Sequence, residues 1–385
     1  MRMMAMLVCV LACALAAGAV QAAERPRARD VGIVVGVMPT GPRNAIVDVP
    51  GVRVGHATVI EGDRVRTGVT AILPHGGDLY ADRVPAALFV ANGYGKLLGV
   101  TQLRELGELE TPILLTGTLE VWNAADALVE WQLARPGMEK VRSLNPVVGE
   151  TNDGFLNDLR SRPLRPQHVR AALESASTDN VQEGAIGAGT GTVAFGWKGG
   201  IGTSSRVTPD GHTVGVLVQS NFGGTLTIGG VPVGRSLPDP ATLAARVEPM
   251  AVASHAAERP VADGDGSIMI VVATDAPLDP RQLERLAKRA VLGLARTGAS
   301  MSNGSGDYVI AFSSAPSVRR HQGDPVHQAP MLDNGGMDAL FVGVAEATEE
   351  AIDNSLFKAV GMRGDRGAVP ALPIDQVLRL LRAAR

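Results

Sequence analysis

Residues Asp263-Gly264-Asp265-Gly266-Ser267 stand at the mouth of an apolar run, Ile268-Met269-Ile270-Val271-Val272-Ala273. A polar, Ala/Pro-rich stretch precedes them, and the β-branched run that follows has the character of a buried strand. The Gly266-Ser267 bond can do chemistry on itself. Ser267 Oγ can attack the Gly266 carbonyl and form a cyclic intermediate, whose hydrolysis cuts the chain and frees the Ser267 α-amine. That amine then serves as general base to its own hydroxyl, a nucleophile held at a strand end. Glycine suits the upstream position because, lacking Cβ, it accepts the strained backbone such an attack needs. Taken alone, a Gly-Ser pair before a strand is a turn signal. Its company decides how it is read.

Three polar clusters supply that company, each with a blander alternative. In Ser300-Met301-Ser302-Asn303-Gly304-Ser305-Gly306-Asp307, Ser305 and Asp307 lie two apart and share a face in extended backbone. A hydroxyl relayed to a carboxylate can orient a serine or its amine; a surface turn fits the same composition. In Gln219-Ser220-Asn221-Phe222-Gly223-Gly224, the Asn221 amide can donate to a developing oxyanion, or form a turn. One such donor is worth about 3–4 kcal/mol of barrier. In Gly149-Glu150-Thr151-Asn152-Asp153-Gly154-Phe155-Leu156-Asn157-Asp158, a carboxylate can pair with a substrate ammonium, or sit in a hydrated loop. The spacing of an EF-hand calcium loop is absent.

Other familiar chemistries find no motif. In the glycine-rich run from Gly184 to Arg206, Lys198 is followed by Gly199 and Gly200, so no phosphate loop occurs, and Gly187-x-Gly189-x-Gly191 lacks the dinucleotide spacing. These glycines suit tight backbone beside an active site. The seven histidines are scattered without paired ligand spacing. Neither a metal nor any other cofactor is expected.

Composition narrows the class further. Net charge is −3 and no basic cluster recurs, so nucleic acid is not an expected partner. Arg2, the apolar stretch from Met3 to Val20 and Val20-x-Ala22 fit a secretory signal over residues 1–22, cleaved after Ala22. The expected location is periplasmic or secreted, without a membrane anchor. Both cysteines, Cys9 and Cys13, fall inside that segment, which excludes a thiol nucleophile and a disulfide scaffold in the mature protein.

Strands and helices interleave along the rest. Strands are expected at Val47 to His56, Gly68 to Leu73, Ala86 to Val90, Ile113 to Leu115, Val214 to Val218, from Ser267 onward and at Tyr308 to Phe312. Helices are expected at Leu97 to Leu109, about Glu120 to Leu133, from Asp279 to Gly298, near Glu349 to Val360 and from about Asp375. Asp279-Pro280-Arg281-Gln282 is a capping box with proline at the first helical position. Between Gly230 and Gly266 the chain reads as a linker ending at the candidate scissile bond. The alternation suggests an α/β protein, sheets covered by helices.

Several long segments together resemble the DmpA-type aminopeptidases, which include L-aminopeptidase/D-esterases and β-peptidyl aminopeptidases (peptidase family S58). They are VDVPGVRVGHAT, TGVTAILPHGG, GYGKLLGVTQLRELGELETPILLTGTLEVWNAADALVEW, GETNDGFLND, GAGTGTVAFGWKGGIGTSSR, QSNFGG, DGSIMIVVATDAPLDPRQLERLAKRA and SNGSGDYVIAFS. The resemblance runs from about Asn44 to the C-terminus. It implies an αββα sandwich and a precursor that cleaves itself before Ser267 into an α chain, residues 23–266, and a β chain, 267–385, which stay together as one catalytic domain. It further implies Ser267 as nucleophile, Ser305 and Asp307 as its supporting pair, Asn221 at the oxyanion and Glu150 on the substrate amine. Substrates would be small peptides, amides or esters with a free N-terminal amine, and the assembly several α/β heterodimers. One departure stands out: where a tyrosine is expected shortly after Glu150, this chain has Asn152, with Phe155 the nearest aromatic. Two other classes remain open, an acyltransferase of the ornithine acetyltransferase type and a non-catalytic periplasmic binding protein.

Overall fold

Val49-Pro50-Gly51-Val52 sets where the first strand begins. Pro50 has no N–H for a ladder and Gly51 takes φ 89°, so Val52 N–H closes a turn on the Val49 carbonyl at 3.2 Å. The strand expected from Val47 therefore starts only at Arg53, and Ile46–Asp48 forms a 3-10 turn. The structure, a computed structural model, describes residues 24–244, 247 and 265–384. The expected signal segment with Cys9 and Cys13 lies outside the described residues, as does most of the second half of the expected linker.

In chain order the elements are β1 (Arg53–Glu61), β2 (Val65–Leu73), β3 (Asp82–Gly93), β4 (Leu97–Leu98), α1 (Val100–Glu105), β5 (Glu108–Leu109), β6 (Ile113–Gly117) and α2 (Val121–Leu133). There follow β7 (Val147–Thr151), α3 (Pro166–Glu174), β8 (Val193–Ala194), β9 (Trp197–Lys198), β10 (Gly200–Val207), β11 (Thr213–Asn221) and α4 (Pro240–Ala244). The last are β12 (Asp265–Thr274), α5 (Pro280–Arg296), β13 (Gly304–Ser313), β14 (Arg320–His321), α6 (Met337–Lys358), β15 (Met362–Gly364), β16 (Gly367–Val369) and α7 (Ile374–Ala383).

One sheet has five strands in the order β1-β2-β6-β7-β4; the other has seven, β10-β11-β12-β13-β3-β14 with β5 added on β3. Residues such as Ile113, Leu115, Val147, Met269, Val271, Ile310 and Phe312 fill the space between the two sheets. The outer face of the first sheet packs on α2 and α3 through Leu114, Val148, Ala124, Leu128 and Val169. The outer face of the second packs on α5 and α6 through Val216, Ile270, Leu286, Ala290 and Ala347. This is the expected αββα sandwich. β12 and β13 run parallel at its centre, which explains the unbroken apolar run after Ser267: both faces of such a strand are covered.

α5 begins as its capping box requires, with Asp279 Oδ1 accepting from Gln282 N–H at 2.6 Å and Gln282 Oε1 from Asp279 N–H at 3.1 Å. Gly298, at φ 86°, follows its last turn. Two helices depart from expectation. The one over Leu97 to Leu109 shrinks to Val100–Glu105, because Gly99 at φ 87° and Gly107 at φ 65° bracket it. The one near Glu349 starts at Met337, and residues 343–357 are all buried. Over 343–357, where the helix is covered on every side, no amphipathic stripe marks its extent. Its acids meet Arg206 of β10, whose Nη2 lies 2.6 Å from Glu350 Oε2 and whose Nε lies 3.1 Å from Glu346 Oε2.

His56 gives this fold a pH response. Its Nδ1 lies 2.9 Å from Thr70 Oγ1, which itself accepts from Ala188 N–H. Burial pulls the imidazole down from 6.5 to about 4. The unfolded chain therefore takes up a proton that the fold refuses, and this contribution to stability is lost as pH falls from 6.5 toward about 4. Asp307, raised by burial, works in the opposite direction. The difference in melting temperature between wild type and His56→Gln isolates the histidine: it should narrow between pH 7 and 4.5, and a constant difference would contradict the assignment.

Candidate active site

Three adjacent strands of the second sheet bring the sequence candidates together by register. Asn221, the last residue of β11, stands opposite Ser267 of β12, and Ser267 stands opposite Gly306 of β13. Ser305 and Asp307 flank that glycine. Their two-residue spacing does put them on one face: Ser305 Oγ donates to Asp307 Oδ1 at 2.7 Å, and both residues are buried. Burial raises the Asp307 carboxyl to about 6, against the lowering effect of hydrogen bonds from Ser305 and the Ile268 N–H.

Gly266 continues β12 in ordinary extended pairing with Ser305, and its φ is not positive. The strained backbone expected at this glycine is therefore absent. Its small size answers a steric need instead, since a Cβ there would come within 3.1 Å of Phe222 Cα. The linker boundary also moves, because Asp265 and Gly266 already belong to the strand.

The loop after β7 closes over the serine. Asn152, which stands where the resemblance leads one to expect a tyrosine and was a candidate for substrate binding, makes its contacts with Ser267 and Asn221 through its backbone. The Asn152 N–H donates to Ser267 Oγ at 3.3 Å, and its carbonyl accepts from Asn221 Nδ2 at 3.0 Å. The Asn152 side chain turns back on its own loop, accepting from Gly154 N–H at 3.1 Å. Phe155 joins Leu156, Val193, Met362 and Val369 in a separate small cluster, with its ring against Gly367. Where a tyrosine hydroxyl was missing, a backbone N–H points at the serine.

Asn221 is held by both ends of its amide. Val193 N–H donates to Oδ1 at 2.9 Å, which fixes the flip and leaves the NH₂ on the side of Asn152 and Ser267. The loop that carries Val193 is itself held by a residue that the sequence reading did not single out for this. Lys198 is fully buried, and its Nζ donates to the carbonyls of Gly189, Thr192 and Gly199 at 2.9, 2.9 and 2.8 Å. Burial pulls its ammonium down to about 7, opposed by the Asp153 carboxylate beside it. Burial likewise raises Asp153 to about 7. A lysine inside a glycine-rich run was the only available signal, and the phosphate-loop template does not fit it.

Glu150 lies at the end of β7 with its carboxylate buried. Oε1 accepts from the Lys96 N–H at 2.9 Å and lies 3.4 Å from Lys96 Nζ. The position a Cβ would take on Gly95 is 3.1 Å from Glu150 Oε1 and 3.2 Å from Gly306 Cα, so the carboxylate borders the strand that flanks Ser267. Tyr308 OH donates to the Gly95 carbonyl at 2.8 Å and braces this turn. Among the described residues no group of His, Cys, Asp and Glu has the arrangement of a metal site.

This arrangement has a match over most of the chain: the family model of peptidase family S58 covers residues 44–369. The chain belongs to peptidase family S58. It is 41% identical to the β-peptidyl aminopeptidase BapA of Sphingosinicella microcystinivorans, over 98% of this chain and 96% of that one. The solved β-aminopeptidase from a Burkholderia species superposes with TM-score 0.82 at 39% identity, covering 93% of this chain and 99% of the other. The L-aminopeptidase D-Ala-esterase/amidase of Ochrobactrum anthropi, described as a variant of the Ntn hydrolase fold, gives TM-score 0.83 at 36% identity, over 94% and 99% of the two chains. As a member of S58 on this fold, the protein is a hydrolase of the aminopeptidase type.

Proposed function

We propose that this S58 aminopeptidase is made as a precursor that cuts itself between Gly266 and Ser267, and that the freed Ser267 removes N-terminal β-amino acid residues from peptides, amides or esters. The observation that carries this reading is the register Asn221–Ser267–Gly306, which sets one buried hydroxyl, accepting from the Asn152 N–H, between the strand that ends in Asn221 and the strand that carries the Ser305–Asp307 pair. In the precursor, Ser267 Oγ attacks the Gly266 carbonyl, and the acyl group moves from nitrogen to oxygen. Water then releases Gly266 as the end of the α chain (23–266) and leaves Ser267 heading the β chain (267–385). Its α-amine, with an ordinary pKa near 7.7–8.0, is partly neutral around physiological pH. In each turnover the amine takes the hydroxyl proton as Oγ attacks the substrate carbonyl, and gives it to the departing amine. Asn221 Nδ2 and the Asn152 N–H bind the oxyanion in this reading. Glu150 pairs with the substrate ammonium. Water attacks the acyl-serine and restores the hydroxyl.

Preference for β-residues rests on likeness to the β-peptidyl aminopeptidase. Export to the periplasm and assembly of several α/β heterodimers belong to the same reading. The purified protein should hydrolyse β-alanyl-p-nitroanilide and leave its N-acetyl derivative intact, because Glu150 needs a free ammonium. Equal turnover of the two would refute the aminopeptidase geometry. Transfer of the acyl group to an added amino acid in preference to water would instead favour the acyltransferase reading.

A further inference from the structure

The pair at Glu150 has a feature that an amine-binding carboxylate alone does not require. Glu150 is buried, with 4% of its side chain exposed, whereas the Lys96 side chain is 36% exposed and ends 3.4 Å from Glu150 Oε1. A fixed anion and a cation on a flexible stem thus stand side by side next to the strand that flanks Ser267. A ligand with only an ammonium must displace Lys96 from Glu150 and leave that lysine without its partner. A ligand with an ammonium and a carboxylate on one carbon exchanges one ion pair for two: its ammonium meets Glu150 and its carboxylate meets Lys96. Such exchange retains the charge balance of a partly desolvated site.

Most N-terminal residues cannot offer both groups, because an α-linked residue has spent its α-carboxyl on the peptide bond and β-alanine has none. A residue linked through its side-chain carbonyl keeps both. We propose that the preferred N-terminal residue is aspartate joined through its β-carboxyl, the isoaspartyl linkage, and that Lys96 is the residue selecting it. This rests on the function proposed above, which supplies the single carbon between the amine-bearing carbon and the scissile carbonyl. The reaction is ordinary hydrolysis. The Ser267 Oγ–carbonyl bond forms as the carbonyl–nitrogen bond breaks, the leaving amine carries off the hydroxyl proton, and water releases free aspartate.

The test compares kcat/KM for β-aspartyl-p-nitroanilide, linked through the β-carboxyl, with that for β-alanyl-p-nitroanilide in wild type, Lys96→Met and Lys96→Arg. Loss of a charge-assisted pair should lower the β-aspartyl to β-alanyl ratio about tenfold or more in Lys96→Met. The β-alanyl KM should fall in that variant, since Glu150 loses a competing cation. Lys96→Arg, which keeps the charge, should keep the ratio. A smaller change of ratio in Lys96→Met, or wild-type enzyme that cleaves only the β-alanyl substrate, overturns the proposal and leaves the aminopeptidase reading standing. Cleavage of neither substrate by wild type refutes both.

Discussion

Ser267→Ala should remain one polypeptide through purification and lose hydrolysis of β-alanyl-p-nitroanilide by roughly 10⁴-fold or more, the scale seen when a nucleophile is removed. The substitution removes a single oxygen from a buried strand residue whose side chain, among the described residues, accepts from the Asn152 N–H alone, so β12 and its register should survive. Loss of activity will then report chemistry rather than unfolding, and an unchanged melting temperature checks this. A denaturing gel separates the two halves of the claim. The appearance of the shorter chain in this variant would show that Ser267 does not perform the cut.

Asn221→Ala should lower kcat by about 10²–10³-fold with little change in KM, since the amide is placed to act on charge that develops only in the transition state. The Val193 N–H and the Asn152 carbonyl both lose their partner, so a moderate fall in melting temperature should accompany it. Asn221→Asp should be worse than alanine. It keeps an acceptor for Val193 N–H but sets a second oxygen against the Asn152 carbonyl and the forming oxyanion. These rates are to be measured on the fraction that has separated into two chains, because cleavage and turnover draw on the same donor. A kcat within about threefold of wild type for Asn221→Ala would remove Asn221 from the mechanism.

The chemistry-bearing residues were readable where local rules govern them. The β-branched run after Ser267 announced a buried strand, and a period of two joined Ser305 to Asp307, now seen as a 2.7 Å hydrogen bond. The capping box of α5 is equally local. What the sequence could not give is register. That Asn221 lies opposite Ser267, and Ser267 opposite Gly306, depends on strand pairing between distant segments, for which a single chain carries no mark. Lys96 stands 54 positions from Glu150, and only folding makes them neighbours. Lys198 and Arg206 were hidden for another reason: composition rules send such residues to the surface, whereas here carbonyls and carboxylates hold them in the interior. The strained backbone expected at Gly266 is not there; what favours glycine at that place is the close approach to Phe222, which depends on strand pairing and so left no local mark.

One determination bears most directly on the account: the intact mass of purified, hydrolytically active protein under denaturing conditions, with N-terminal sequencing of the smaller species. Two chains are predicted, the smaller reading Ser-Ile-Met-Ile-Val-Val from position 267. Full activity in a single chain unbroken between Gly266 and Ser267 would contradict it, because the base on which each turnover relies would then be locked in an amide.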